Sequence, residues 1–98
     1  MMYLKTYDME SESMVAACDR DILGKTFSEG ELTIHVSKEF YKGEPATEAE
    51  VIAALQKATI ANLLGKRAVS CGTKSGVIDQ DHVITIGGVQ HAQLVRMR

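Results

Sequence analysis

Segments of two-residue alternation lie at both ends of the chain, on either side of a helical middle, and this arrangement constrains the fold most. The side chains of residues 2–7 follow a pattern with a period of two, which predicts a strand. Residues 14–18 form a second short apolar segment, and the two together predict a hairpin. Residues 32–36 predict a third strand, and residues 83–86 and 92–97 predict a final pair. Strands grouped around helices favour an α+β fold, with one mixed β-sheet of about five strands and two central helices packed on it.

The helical middle begins with a clear start signal. Thr47 and Glu50 have the spacing of a capping box. Apolar residues then recur at helical spacing as far as Leu63, which predicts one helix that Gly65 ends. Residues 66–75 predict a second helix directly after it.

Length and composition favour one globular domain over residues 1–98. The chain has 98 residues, of which 45% are hydrophobic and 24% charged, as in folded rather than disordered proteins. No stretch approaches the about 20 apolar residues of a membrane span, so no membrane partner is expected. Cys18 and Cys71 lack a disulfide-framework spacing, and the start lacks a signal peptide, which together predict reduced thiols and a cytoplasmic location.

The charge is distributed unevenly along the chain. Residues 1–50 carry 5 basic and 11 acidic side chains, a net charge of −6, whereas residues 51–98 carry 6 basic and 2 acidic ones, a net charge of +4. Such asymmetry indicates a surface that faces a polyanion, provided that the basic residues cluster in space. These residues are Lys57, Lys66, Arg67, Lys74, Arg96 and Arg98.

The Gly87-Gly88 pair, followed by His91 and Gln93, is a candidate ligand loop. Glycines let the backbone approach another molecule closely, and a His and a Gln can bind a phosphate, a hydroxyl or a carbonyl oxygen. The alternative is that the two glycines only supply the positive φ angles of a hairpin turn. Asn62 has the same two interpretations, since a buried amide either braces a loop or contacts a ligand.

Other chemistry-bearing residues carry weaker signals. Asp19 is expected to cap a short helical turn that ends at Gly24, and Cys18 beside it is expected to be a buried thiol. No pair of His or Cys residues has a metal-ligand spacing, so neither a metal nor a cofactor is expected. Tyr3 and Tyr7 share one face of the first strand, which is compatible with a platform for stacking RNA bases.

Several short stretches, in order along nearly the whole chain, form a pattern found in a known family. They are residues 17–19, 23–27, 29–30, 40–41, 58–65, 66–69 and 86–93. In these stretches the chain resembles the small archaeal proteins of domain-of-unknown-function family 424, although Gln90 stands where that family is expected to have Pro. The resemblance implies an archaeal cytoplasmic protein without an assigned activity and an association with translation-related or RNA-handling genes. It also implies a set of site residues, namely Cys18, Asp19, Lys25, Asn62, Arg67, His91 and Gln93.

The first functional hypothesis is a small binding module for RNA or a ribosomal particle. Basic residues of the second half would contact phosphates. The Gly87-Gly88 loop would lie against the ligand. The phosphate contacts would come from Lys66, Arg67, Arg96 and Arg98, and the hydrogen bonds from Asn62, His91 and Gln93.

Two alternatives belong to other classes of protein. In the first, the chain is a small enzyme in which His91 acts as general base and Lys25 or Arg67 holds an anionic substrate. In the second, it is a protein-interaction domain that forms a homodimer by pairing edge strands or through an apolar helix face.

Overall fold

The main β-sheet is mixed and has six strands in the computed structural model, which describes residues 1–96. The strands are β1 (Met2–Asp8), β2 (Ser13–Asp19), β5 (Glu44–Ala46), β6 (Ile60–Leu64), β7 (Ile84–Ile86) and β8 (Val89–Val95). Their order across the sheet is β5-β1-β2-β6-β8-β7. Only β2 and β6 run parallel, and the other neighbouring pairs are antiparallel.

The remaining elements lie on the two faces of this sheet. They are a separate hairpin of β3 (Thr26–Glu29) and β4 (Leu32–His35), the helices α1 (Lys38–Tyr41), α2 (Glu48–Lys57) and α3 (Lys66–Ser75), and the short 3-10 turns Arg20–Ile22 and Gln80–His82. The α+β class, the mixed sheet and the helix over residues 66–75 are confirmed, with six strands instead of about five. Within the described residues no helix has the length and apolar character needed to span a bilayer.

Each face of the sheet carries its own apolar cluster. On the helical face, α2 and α3 pack over the centre of the sheet, and the cluster includes Val15, Ala17, Val51, Leu55, Leu63, Val69 and Leu94. On the opposite face, called here the hairpin face, α1 and the β3-β4 hairpin pack over part of the sheet. That cluster includes Ala16, Cys18, Val36, Tyr41, Leu64 and Val89.

The prediction of one helix running to Gly65 was wrong beyond Lys57. The capping box of Thr47 and Glu50 is present, and α2 ends at Lys57. The chain then turns and re-enters the sheet as β6, between β2 and β8. A central strand is buried on both faces, so Ile60–Leu64 is almost continuously apolar, and a short run of this kind has no period that separates a strand from a helix.

Smaller differences arise at the edges of the sheet. Pro45, which precedes α2, lies in the edge strand β5, where a missing amide is tolerated. The last strand begins at Val89, so the turn before it is shorter than expected. Met97, its expected end, lies outside the described residues.

Candidate functional site

A groove runs along the exposed side of α3, where that helix passes the start of α2. We call it the α3 groove; it encloses about 700 Å³. A volume of this size accommodates a small ligand or a short stretch of a polymer. Its lining residues are Met1, Met2, Ala46, Thr47, Glu48, Lys66, Arg67, Ser70 and Lys74.

The helix places its basic side chains along this groove. Lys66, Ser70 and Lys74 are four residues apart, so they lie on one side of α3, and Arg67 lies next to them. The three cations are exposed. Among the described residues that line the groove, Glu48 is the only one with a carboxylate side chain, and the three basic side chains give this lining a positive net charge.

One of these cations, Lys74, forms a salt bridge with Glu48. The Lys74 Nζ donates to the Glu48 Oε1 at 2.9 Å, and both side chains are more than half exposed. This hydrogen bond, followed by the charge of Glu48, raises the pKa of Lys74. A pair in water contributes little to stability, so an anion of higher charge can compete with Glu48 for Lys74.

The first turn of α3 is already capped from within the protein. The Asp19 side chain reaches from the end of β2 and accepts from the Arg67 amide at 3.0 Å and from the Ala68 amide at 2.8 Å. The expectation that Asp19 caps its own helical turn was therefore wrong, since that turn has no side-chain cap. These two amides are not open to a ligand, so Arg67 can bind an anion only through its side chain.

A smaller concavity adjoins the α3 groove and shares Arg67 with it. It encloses about 270 Å³ and is lined by Met1, Asp19, Arg20, Asp21 and Arg67. Two carboxylates face two guanidinium groups there, so this part of the surface has no excess of positive charge. The stronger attraction for an anion therefore lies on the Lys66 side of Arg67.

The sheet brings Asn62, His91 and Gln93 together, but away from the α3 groove. Asn62 lies in β6 directly opposite Gln93 of β8, and the Gln93 Nε2 donates to the Asn62 Oδ1 at 2.8 Å. His91 lies two residues along β8 on the same face, which is the hairpin face. None of the three lines either concavity.

His91 is a strand residue and not part of the turn that the sequence suggested. It stands opposite Leu64 on one side and Ile84 on the other. Burial lowers its pKa. Within residues 1–96 no hydrogen bond joins its ring to another side chain, and it lines neither concavity.

Gly87 and Gly88 form the tight turn between β7 and β8, with φ angles of 57° and 85°. The Gly87 amide donates to the Glu29 Oε1 at 3.0 Å, and a Cβ on Gly87 would lie 2.8 Å from the Ser28 carbonyl oxygen. The turn thus packs against the β3-β4 hairpin, which supports the structural interpretation of these glycines. Lys25 belongs to the same hairpin region, where its carbonyl accepts from the Val36 amide, and it lines neither concavity.

Of the other basic residues of the second half, Lys57 and Arg96 lie in the described part of the chain, and neither lines the α3 groove. Lys57 ends α2, and the Arg96 Nη1 reaches the carbonyl of Gln56 at the same end of that helix. Arg98 lies outside the described residues. The basic residues described between positions 51 and 96 therefore divide into those of the α3 groove and a second pair near the end of α2.

Tyr7, one of the two tyrosines of the expected stacking platform, is packed against α1. The Tyr7 ring stacks on Phe40 with a centroid distance of 5.5 Å, and its hydroxyl donates to the Phe40 carbonyl. The Cys18 thiol is fully buried beneath the same region, and burial together with Asp19 and Asp21 raises its pKa to about 12. Neither base stacking on Tyr7 nor a reactive Cys18 fits this arrangement.

The candidate site residues named from the sequence did not include Glu48, Ser70 or Lys74, although Lys74 was among the basic residues expected to cluster. Lys74 lies eight residues after Lys66 on the same helix, so helical spacing places both on one side of α3. Ser70 fills the position between them. Glu48 gives no such signal, since only the tertiary fold brings the start of α2 to α3. Within the described part of the chain, no three His, Cys, Asp or Glu side chains are placed to bind a metal ion.

Comparison with known proteins places the chain in a family. The profile of a protein family of unknown function, DUF424, matches residues 7–97. The chain belongs to this family. It is also similar to a crystal structure of an uncharacterized conserved protein from Methanopyrus kandleri, with 27% identity and a TM-score of 0.79 over 99% of this chain and 95% of the other. No curated protein matches the chain.

Proposed function

We propose that this protein is an RNA-binding module whose α3 groove holds backbone phosphates. The observation that carries the proposal is the convergence of Lys66, Arg67 and Lys74 in one concavity of about 700 Å³. Phosphate contacts supply most of the affinity of non-specific nucleic-acid binding, and they require exposed cations held at a fixed spacing. A helix provides that spacing.

The groove is suited to a flexible strand more than to a rigid duplex. The three cations follow one side of a ten-residue helix, and the start of α2 forms the opposite wall. A single strand can follow such a short concave path because its backbone is flexible. Ser70 lies between the lysines, where a hydroxyl can donate to a phosphate oxygen.

Polar groups outside the groove can give at most a weak preference for particular RNA sequences. The Asn62–Gln93 amide pair presents donors and acceptors on the sheet, but its members already bond to each other. The Tyr7 ring stacks on Phe40 of α1, and Phe40 in turn packs edge-on against Tyr41. We therefore expect binding dominated by phosphates and strongly dependent on salt.

The double substitution Lys66→Ala and Arg67→Ala tests the proposal. It is expected to weaken binding of a fluorescein-labelled single-stranded RNA by about tenfold, because charge-assisted phosphate contacts are lost. The plot of log affinity against log salt concentration should become shallower by about 1.4, at about 0.7 per lost phosphate contact. Fluorescence anisotropy titrations at several salt concentrations measure both quantities.

Lys57→Ala is the matched control. Lys57 is an exposed basic residue of the same half of the chain, but it does not line the α3 groove. This variant should keep most of the affinity and nearly the full salt dependence. Equal losses in the control and in the double variant, or no RNA binding by the parent protein at low salt, would contradict the proposal.

A further inference from the structure

One edge of the main sheet is only half covered, because β7 is much shorter than the strand beside it. β7 pairs with β8 from Val89 to His91, where Ile86 and Ile84 stand opposite these two residues. β8 then continues to Val95. Among residues 1–96, its second half has β6 on one side and no strand on the other.

The backbone groups of this open segment point away from the sheet. The Gln90 carbonyl accepts from the Gly65 amide at 2.8 Å, and the Arg96 amide donates to the Thr59 carbonyl at 2.7 Å, so even-numbered residues of β8 face β6. In an antiparallel pair the groups of alternate residues point to opposite sides. The amides and carbonyls of Gln93 and Val95 therefore face outward, and within residues 1–96 no backbone hydrogen bond reaches them.

The side chains beside the open segment do not protect it from pairing with a strand of another chain. Val95 is 73% exposed and Ile84 is 49% exposed, so apolar surface lies next to the unpaired groups. Proteins usually guard such edges with charges or proline. The opposite edge follows this rule, because β5 contains Glu44 and Pro45, whereas β8 contains no charged residue and no proline.

We propose that a second copy of this chain pairs antiparallel with β8 through residues 93–95, about a two-fold axis at Leu94. In this register Gln93 of each copy stands opposite Val95 of the other, and about four backbone hydrogen bonds form. A two-fold axis brings identical residues together, so an edge suits self-pairing only if it carries no net charge. β8 meets this condition, and Arg96 falls opposite Ala92 of the second copy.

The substitution Val95→Pro tests this pairing. Because the Val95 amide faces outward, proline removes a donor of the intermolecular ladder but none of the bonds between β8 and β6. Half of the intermolecular amide donors are then lost. Sedimentation velocity from micromolar to millimolar protein should show a dimer fraction that rises with concentration in the parent and is absent in this variant.

Leu32→Lys provides a matched control and hydrogen exchange a second measurement. Leu32 is 57% exposed on β4 of the separate hairpin, so its replacement removes a comparable apolar side chain but leaves the β8 edge intact. This variant should form dimers as the parent does. In the parent, exchange of the Gln93 and Val95 amides should slow as the concentration rises.

Three results would overturn the proposal. The first is a parent protein that stays monomeric at millimolar concentration. In that case the edge would pair, if at all, with a strand of another protein. The second is a dimer that Val95→Pro does not weaken. The third is slow exchange of the Gln93 and Val95 amides in the dilute monomer, which would mean that another part of the chain covers the edge.

Discussion

Gly65→Ala is expected to lower the free energy of unfolding by about 3 kcal/mol or more. Gly65 joins β6 to α3 with φ 101° and ψ 155°, a conformation that essentially only glycine adopts. A Cβ there would also overlap the Asp19 carboxyl group. Because that carboxylate accepts from the Arg67 and Ala68 amides, the substitution both strains the backbone and displaces the cap of α3.

Urea unfolding followed by circular dichroism measures this effect, with Gly76→Ala as the control. Gly76 follows α3 with φ 81°, but a Cβ there meets no atom within 4 Å. Its substitution should therefore carry only the cost of a left-handed residue, about 1 kcal/mol. If the two variants lose the same stability, the contact between Gly65 and Asp19 does not contribute as described.

Leu63→Ala is expected to cost about 3 to 4 kcal/mol, since Leu63 is fully buried in the central strand β6. Its side chain lies directly under Gly72 of α3, where a Cβ would be 2.7 Å from the Leu63 Cδ1 and 2.7 Å from the Ile78 Cγ1. The missing side chain at position 72 therefore lets the helix approach the sheet closely.

A double-mutant cycle tests this contact. Gly72→Ala should destabilise the parent, although Ala is the better helix former by about 1 kcal/mol, because the added methyl group overlaps Leu63 and Ile78. In the Leu63→Ala background the same change should cost less, with a coupling of about 1 kcal/mol. Urea unfolding of the four proteins measures the coupling, and strictly additive losses would contradict the packing described.

Much of the architecture could be predicted from local sequence patterns. The capping box of Thr47 and Glu50 and the helix predicted over residues 66–75 are both present in the structure. The hairpin of β1 and β2 follows from the alternation of residues 2–7 and the apolar segment of residues 14–18. These elements were predictable because their residues interact mainly with near neighbours in the sequence.

The segment after α2 could not be predicted in the same way. Ile60–Leu64 is apolar on both faces because β2, β8 and two layers of side chains surround it, and a helix would show the same composition. Asn62 was correspondingly placed on a helix, while in the structure it bonds to Gln93 across two strands. Whether such an apolar segment forms a strand or a helix is decided only by its pairing with segments that are distant in the sequence.

The candidate site was predicted in part. Lys66 and Arg67 do line a concavity, whereas His91, Gln93 and the glycine turn lie elsewhere on the sheet. The four-residue spacing along α3 places Lys74 on the same side as Lys66, but nothing in the sequence indicates that Glu48 pairs with Lys74. Opposite charges that meet through the tertiary fold leave no local pattern in a sequence.

The most direct test of phosphate binding in the α3 groove is to remove its carboxylate. Glu48→Gln removes the negative charge that faces the ligand and leaves Lys74 with a neutral amide oxygen as acceptor in place of the carboxylate that it contacts at 2.9 Å. Glu31→Gln is the control, because it changes the net charge equally at an exposed position of the β3-β4 turn, which does not line the groove. Anisotropy titrations with the same single-stranded RNA at low salt compare the two. We expect Glu48→Gln to tighten binding about threefold to fivefold relative to the control, and an affinity equal to that of the control, or lower, would contradict the α3 groove as the phosphate site.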